Sequence, residues 1–400
     1  MHDKKPPVLM FLSKALYPES RTKQKIQSLV QRGFKVYVLQ LDREGRFDNL
    51  NVLNRVFVRN ITLLRSRSFG KIKYALNAVL FQVIEFLYGA YLVKKYGCLI
   101  VHANDFNTLF GAYLLKKVFP NNIMLIYDAY ELTPFVYSDW YSENLGKLVY
   151  GVETKLVRYV DYILVPSYPV GVYFEIISND KPIIHLYNFP SSKLIPSVSK
   201  QQARAFLNLP RDKVIITYVG SMRVGIALEE FLEAIRLIKK RKLKKKLHFV
   251  IIGHGPLSNF VKKFIKENNL EDITTFKSMI PREEIFMYLK ASDYSYIILQ
   301  GENMKIATPW KLSESLACGA IPIVNEGTYA AKLLRKIGTG IIIKNFDPLH
   351  LADLFEELGN STNNYYRHNI DPKVFTWERQ EKEFIRVHEE GEVLCRYKKT

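Results

Sequence analysis

Short apolar runs of strand length alternate with amphipathic helical stretches twice along this chain, and that alternation leaves few folds open. Residues 8–12, 36–41, 99–102, 124–127 and 162–166 read as buried strands. Helical periodicity fills intervals between them, over residues 19–32 with Gly33 as a C-cap and over about 146–160. Buried strands joined by helices pair in parallel through right-handed crossovers. A second series follows, with strands at 214–219, 247–252, 273–276, 294–299 and 321–324 and helices at 228–240, 257–268 and 282–291. Between the two series, residues 188–200 (NFPSSKLIPSVSK) are rich in Pro and Ser, lack a period and read as a linker. At 400 residues the chain is too long for one core and suits two α/β domains of similar size.

The densest local pattern is residues 309–327, PWKLSESLACGAIPIVNEG. It predicts an amphipathic helix to Cys318, a turn at Gly319–Ala320 and a short strand from Ile321 to Val324. Lys311 and Glu314 stand three apart and share a helix face. At the positive end of a helix they could both meet a ligand. An ordinary amphipathic helix and turn would carry the same residues.

Bulk properties narrow the partners. A formal charge of +19 favours phosphate-bearing molecules: sugar nucleotides, anionic lipid or nucleic acid. No nucleic-acid recognition motif accompanies it, and no nucleic-acid partner is expected. The run 239–246, KKRKLKKK, is the densest basic cluster and reads first as a solvated helix end. Cys98, Cys318 and Cys395 match no metal spacing; they imply a reducing compartment and no disulfide framework. The apolar run at 8–12 is too short for a signal peptide. Residues 74–93 have the length of a membrane span, but Gln82 and Glu85 lie near its middle. That segment reads as a helix buried in or lying against the first domain, with an interfacial role as the alternative. The expected location is cytoplasmic, with peripheral attachment to the inner membrane face as a further expectation.

These pieces occur in a recognisable order. Residues 101–105 (VHAND), 127–131 (YDAYE), Glu153 ahead of 160–167 (VDYILVPS), 187–190 (YNFP), 218–221 (YVGS), 251–256 (IIGHGP) and 309–324 follow one another along the chain. Together they resemble the segments of glycosyltransferases with the two-domain GT-B fold, especially family four, whose signature is P-x-K-x-x-E-x-x-A-x-G-x-P-V. The resemblance implies two doubly wound, Rossmann-like domains facing a central cleft, residues 1–190 on the acceptor side and 191–375 binding a nucleotide sugar. It also implies that the helix after 375–380 (FTWERQ) crosses back to the first domain, over about 376–400.

The activity implied is transfer of a sugar from a nucleotide diphosphate sugar to a hydroxyl of a glycan or lipid-linked glycan, with retention. The resemblance places Lys311 near the diphosphate and Glu314 on the ribose hydroxyls, and residues 276–280, with Ser278, at the base. Gly220 and Ser221 could offer backbone N–H groups to phosphate, and Arg223 a forked cation or merely a solvated loop charge. Gly253 and Gly255 allow a tight turn beside the nucleotide. Asp105 and Glu131 follow strand ends; they could orient acceptor hydroxyls or serve as loop caps. His102 ends a strand and could be a core histidine. No cofactor and no metal ion are expected beyond the donor.

Four positions depart from the family pattern. No glycine follows the first strand, Ile226 stands where a basic residue is usual, Ile306 where a glutamate is frequent, and Tyr130 where His is usual. Glu302 or Asn303 could reach the sugar instead of Ile306. Two other classes therefore stay open: a degenerate scaffold that binds nucleotide sugar or glycan without turnover, and a nucleotide-sugar epimerase of the same fold. A dinucleotide dehydrogenase is disfavoured, because no G-x-G-x-x-G follows a strand.

Overall fold

The structure is a computed structural model and describes residues 5–14, 20–42, 55–63, 70–223, 225–241, 246–301, 305–360 and 371–397. It divides into two compact units, residues 1–187 with 380–400 and residues 188–379.

The first unit alternates strand and helix. Its elements are β1 (Val8–Leu12), α1 (Ser20–Gln31), β2 (Val36–Leu41), β3 (Val56–Ile61), α2 (Gly70–Tyr96), β4 (Leu99–Asn104), α3 (Phe106–Val118) and β5 (Ile123–Asp128). Then come α4 (Thr133–Trp140), α5 (Glu143–Leu156), β6 (Tyr162–Val165), α6 (Tyr168–Ile177) and β7 (Ile183–His185). All seven strands are parallel, in the order β3-β2-β1-β4-β5-β6-β7. The five residues of β1 and the six of β2, β4 and β5 are buried throughout, which explains their unbroken apolar reading. The edge strand β3 carries Arg59 and Asn60 in a half-exposed pattern, so its apolar signal is diluted and sequence patterning passes over it.

The second unit contains α7 (Lys200–Phe206), β8 (Val214–Val219), α8 (Leu228–Lys240), β9 (Leu247–Ile252), α9 (Ser258–Glu267), β10 (Thr274–Lys277), α10 (Arg282–Ala291) and β11 (Tyr294–Ile297). After these come α11 (Trp310–Cys318), β12 (Ile321–Asn325), α12 (Tyr329–Ile337), β13 (Ile341–Ile343) and α13 (Pro348–Asn360). Its six strands are parallel in the order β10-β9-β8-β11-β12-β13. The stretch 188–200 is packed rather than a free linker. Leu194, Ile195 and Val198 lie against the apolar cluster around Ile215, Val250 and Phe286. Asn188 Nδ2 donates to the Thr308 carbonyl (3.1 Å), and Trp377 N donates to the Pro190 carbonyl (2.8 Å). These bonds place residues 188–190 in the second unit.

The last helix, α14 (Glu381–Tyr397), belongs to the first unit. Gln380 accepts from Tyr187 N (2.8 Å) and donates to Tyr187 O (2.6 Å), which fastens the helix at its start. Gly391 passes so close to β4 and β5 that a Cβ would stand 2.5 Å from Met124 Sδ and 2.9 Å from Ile100 Cδ1. Cys395 of this helix is disulfide-bonded to Cys98 at the start of β4, with Cα atoms 5.8 Å apart. That corrects the expectation of no disulfide, and removes the ground on which a reducing compartment was inferred. The two cysteines are 297 residues apart, so spacing could not have paired them.

His102 on β4 and His388 on α14 form a buried pair, Nε2 to Nε2 at 2.7 Å with the rings stacked. His388 Nδ1 faces the Phe384 carbonyl at 2.7 Å and must donate to it, so His388 Nε2 is an acceptor and His102 Nε2 carries the hydrogen. Burial lowers both, His388 to about 4, and the pair is neutral at pH 7. His102 is therefore a core histidine.

The unfolded chain binds protons at these rings that the folded chain refuses. The pair's contribution is full above pH 6.5 and is lost as pH falls towards about 4. A shift of this size at His388 corresponds to on the order of 3 kcal/mol. Replacing both histidines by Phe should flatten the fall in melting temperature across this window relative to the parent protein. Parallel melting curves would contradict the buried neutral pair.

Candidate functional site

In the second unit β8 lies between β9 and β11. The connections leaving β8 and β11 therefore run to opposite sides, and their loops part at the carboxyl edge of the sheet, where open α/β sheets bind ligands. A pocket of about 150 Å³ opens at this point. Tyr218, Gly220, Ser221 and Arg223 line it from β8 and its loop, Ile298, Leu299 and Gln300 from β11, Gly225 and Ile226 from the approach to α8, and Lys311 from α11. Gly220, Ser221, Arg223 and Lys311, candidates from separate stretches of the sequence, are brought together by the fold. Among the described residues no carboxylate lines this pocket.

The loop after β8 is shaped by backbone contact with the loop after β9. Gly220 N donates to Ile252 O (3.0 Å), Met222 N to His254 O (3.0 Å) and Leu257 N to Met222 O (2.9 Å). A Cβ on Gly253 would stand 1.8 Å from Gly220 O, and one on Gly255 would stand 2.4 Å from Met222 O. These two glycines therefore permit close backbone packing; they line no part of the pocket. The N–H of Gly220 is already engaged and cannot serve a phosphate, which corrects one expectation. Ser221 is exposed, and its carbonyl accepts from the Tyr218 hydroxyl at 2.7 Å.

Two cations face the pocket. Arg223 is exposed, whereas Lys311 is partly covered and lies 5.4 Å from the centre of the Tyr218 ring. Burial, then the charge of Arg223, lowers Lys311 to about 8. α11 begins at Pro309 without a side-chain cap, and α8 begins at Ala227 likewise, with φ of 51° at Ala227. Gln300 Oε1 holds Ala227 N at 3.2 Å. Asn325 bonds both the N–H and the carbonyl of Leu299 at 2.9 Å, which fixes the floor beneath Gln300. Uncapped helix starts and two cations with no lining carboxylate suit an anion.

Glu314 does not line this pocket. It is 4% exposed and ion-paired with Arg282 of α10, which stacks over Trp310 and Phe286. Burial raises the carboxyl and Arg282 opposes the rise. Ser278 is exposed after β10, with its Oγ 3.5 Å from His254 Nδ1. Asn303 and Glu302 lie outside the described residues. Ile306 is half-buried, and Ile226 is 7% exposed. Among the described residues no group of three or more His, Cys, Asp or Glu is placed to hold a metal ion.

In the first unit the strand order reverses at β1, and Ser13 after β1 donates to Asp105 after β4. Asp105 has φ of 93° and caps α3, accepting from Asn107 N at 2.8 Å. A non-glycine residue held there is strained, and such residues gather at functional sites. Asp128 is buried against Arg21 (2.8 Å) and Lys25, and Arg21 lies over the Tyr130 ring, whose hydroxyl meets Thr22 Oγ1 at 2.8 Å. Glu131 reaches the surface, and desolvation by its neighbours raises it while Lys14 opposes. Glu153 is buried, accepts from Tyr127 and Tyr173 (both 2.7 Å) and is raised by burial to about 7.

Sequence reasoning missed Gln300, Tyr218 as the bed of Lys311, and Arg282. Gln300 follows a predicted strand end, a signal available from the start. The Arg282 pairing crosses from α10 to α11 and left no local trace.

Residues 199–372 match the family model described as Glycosyl transferases group 1. A D-inositol 3-phosphate glycosyltransferase from Thermomonospora curvata is 24% identical over 165 residues, 39% of this chain and 37% of that protein. The chain thus matches little more than a third of that relative's length. Sucrose-phosphate synthase from Thermosynechococcus elongatus superposes with a TM-score of 0.76 at 17% identity, covering 96% of this chain and 99% of that one. Anabaena HepE, solved in complex with UDP and glucose, gives a TM-score of 0.67 at 13% identity, covering 96% and 100%. These likenesses are of fold, and the fold is GT-B.

If Lys311 and Arg223 hold an anion, affinity for inorganic pyrophosphate should be highest below pH 8 and fall as pH rises through about 8, where Lys311 loses its proton. Calorimetry should find Lys311→Met about 10- to 100-fold weaker at neutral pH, the effect of one charge-assisted hydrogen bond. Lys311→Arg should bind without the loss above pH 8. Equal affinity in the Met variant would remove Lys311 from the site.

Proposed function

We propose that this GT-B chain, whose second unit carries a Glycosyl transferases group 1 segment, is a glycosyltransferase that uses a nucleotide diphosphate sugar. The acceptor is a hydroxyl of a glycan or lipid-linked glycan, and transfer proceeds with retention and without a metal. One observation carries the reading: Lys311 and Arg223 converge on a pocket at the strand-order reversal of the second unit, with no carboxylate lining it among the described residues. The family segment over 199–372 supports it, as does a fold shared with HepE, which was solved with UDP and glucose.

In the reaction the bond between the anomeric carbon and the diphosphate oxygen breaks, and a bond to the acceptor oxygen forms on the same face. The acceptor proton leaves to the departing diphosphate or to water. Charge grows on the leaving diphosphate, where Lys311 and Arg223 stabilise it more in the transition state than in the ground state. Ser221 adds a backbone contact. Glu314 exchanges its bond with Arg282 for the ribose hydroxyls, with Ser278 beside the base. Gly253 and Gly255 keep the phosphate loop in shape. In the first unit Asp105 and Glu131 orient the acceptor hydroxyl.

Ile226, an apolar side chain lining the pocket where the resemblance leads one to expect a basic residue, favours a second reading in which nucleotide sugar is bound without turnover.

Thermal shift with UDP, GDP, dTDP and ADP, and with their sugars, separates these readings. One nucleotide should raise the melting temperature by about 2–4 °C at saturating ligand, and Glu314→Ala should abolish the rise. Sugar transfer to a hydroxyl acceptor, lost in the same variant, would establish the enzyme. Binding without transfer would favour the degenerate scaffold. A chain that responds to no nucleotide would overturn the proposal.

A further inference from the structure

Helix α2 has two unlike long faces. Its inner face packs on α3: Phe81, Glu85, Leu92 and Val93 are buried, and Gly89 fits under Leu115. Gln82 Nε2 donates to Asn107 O at 3.1 Å. Glu85 is fully buried with neither carboxylate oxygen hydrogen-bonded, and burial followed by the charge of Asp105 holds it well above the carboxylate range. The polar residues at the middle of this apolar helix therefore point inwards. The outer face carries Leu76, Val79, Leu80, Val83, Leu87 and Tyr91, which are 44–62% exposed and spaced to share one stripe.

By length and composition α2 could cross a membrane. Its inner face is fixed to α3, however, and a crossing helix would have to surrender those contacts. The helix can instead lie in an interface with its outer stripe immersed. Charge identifies the interface. α2 ends in the exposed Lys94 and Lys95, with the Lys95 ammonium 5.9 Å from the centre of the Tyr91 ring on the stripe, and α2 and α3 together contain a single acid, the buried Glu85. An identical face in a two-fold dimer would oppose these lysines with like charge. A surface of anionic headgroups over acyl chains satisfies both the stripe and the lysines.

A second feature of the same face points to the same occupant. Between β3 and α2 lies a pocket of about 400 Å³ lined by Leu39, Ile61, Ile84, Leu87, Tyr88 and Tyr91, with Arg59 as the one charged lining residue among those described. Arg59 lies over the Tyr88 ring at 5.4 Å. An apolar pocket with a guanidinium fits one acyl chain whose phosphate meets Arg59.

We propose that the outer face of α2, with the pocket between β3 and α2, docks the first unit on an anionic lipid bilayer. This surface is independent of the nucleotide reading and can fail or stand without it.

Co-sedimentation tests it, using the full chain and phosphatidylcholine vesicles with and without phosphatidylglycerol. The protein should pellet with the phosphatidylglycerol vesicles and be released by salt. The double variant Leu80→Glu/Leu87→Glu changes exposed residues only; it should retain the parent melting temperature and bind at least about tenfold more weakly. Lys94→Glu/Lys95→Glu should weaken binding to phosphatidylglycerol vesicles separately, and Arg59→Glu likewise. The proposal is overturned if the parent stays in the supernatant with both vesicles, or if the leucine variant pellets as the parent does. It is also overturned if light scattering shows a dimer that the leucine variant dissociates.

Discussion

Each unit is organised by the reversal of strand order about its first strand. A parallel sheet grown outwards in both directions by right-handed crossovers must send the chain to opposite faces on the two sides of that strand. The loops leaving β8 and β11 are therefore not covered by a shared helix. Polar backbone and charged side chains can face solvent there without the desolvation cost they would meet elsewhere along the sheet. Gly253 and Gly255 then set the shape of the opening. A side chain at either would drive into the Gly220 or Met222 carbonyl, push the β8 loop away and carry Ser221 and Arg223 with it. The glycines act on the pocket through packing, one layer behind it.

Electrostatics divide α11 between two tasks. Lys311 looks into the pocket beside Tyr218, and Glu314, one turn on, is held by Arg282. Burying a cation near Arg223 with no lining acid among the described residues costs desolvation and repulsion, and both lower Lys311 to about 8. A structural lysine gains nothing from that placement. An incoming diphosphate would relieve it, which is why the arrangement reads as preparation for an anion. Glu314 is kept from the same pocket by its own ion pair, so the acid does not quench the cations before a ligand arrives.

The sequence carried the architecture because the central strands of both sheets are buried throughout or nearly so. Uninterrupted apolar runs such as Val8–Leu12 and residues 249–252 cannot be mistaken for surface elements. The edge strand Val56–Ile61 escaped because exposure dilutes its apolar signal, and Ile341–Ile343, apolar throughout, because three residues are too few to mark a strand. Local motifs named Lys311, Glu314 and Gly220, yet could not say which of them share a pocket. Gly220 turned out to have its N–H engaged with Ile252, a fact of loop-to-loop register. Pairings across long separations were illegible altogether. Cys98 with Cys395, His102 with His388 and Arg282 with Glu314 depend on which helix returns to which strand, and no spacing encodes that.

The first unit shows the same logic applied to a helix rather than a loop. A 27-residue apolar helix with an acid at its centre is ambiguous in sequence, because the acid forbids lipid on whichever side it faces. The fold resolves the ambiguity by turning Glu85 against Gly111, where a Cβ would already collide with its carboxylate. Only a glycine on α3 gives room for that side chain, and only a neutral carboxyl tolerates the site. With the acid so disposed, the opposite face is free to be wholly apolar. The lysines at 94 and 95 then fall at the helix end, where they meet the negative pole of the dipole and lie beside the exposed stripe.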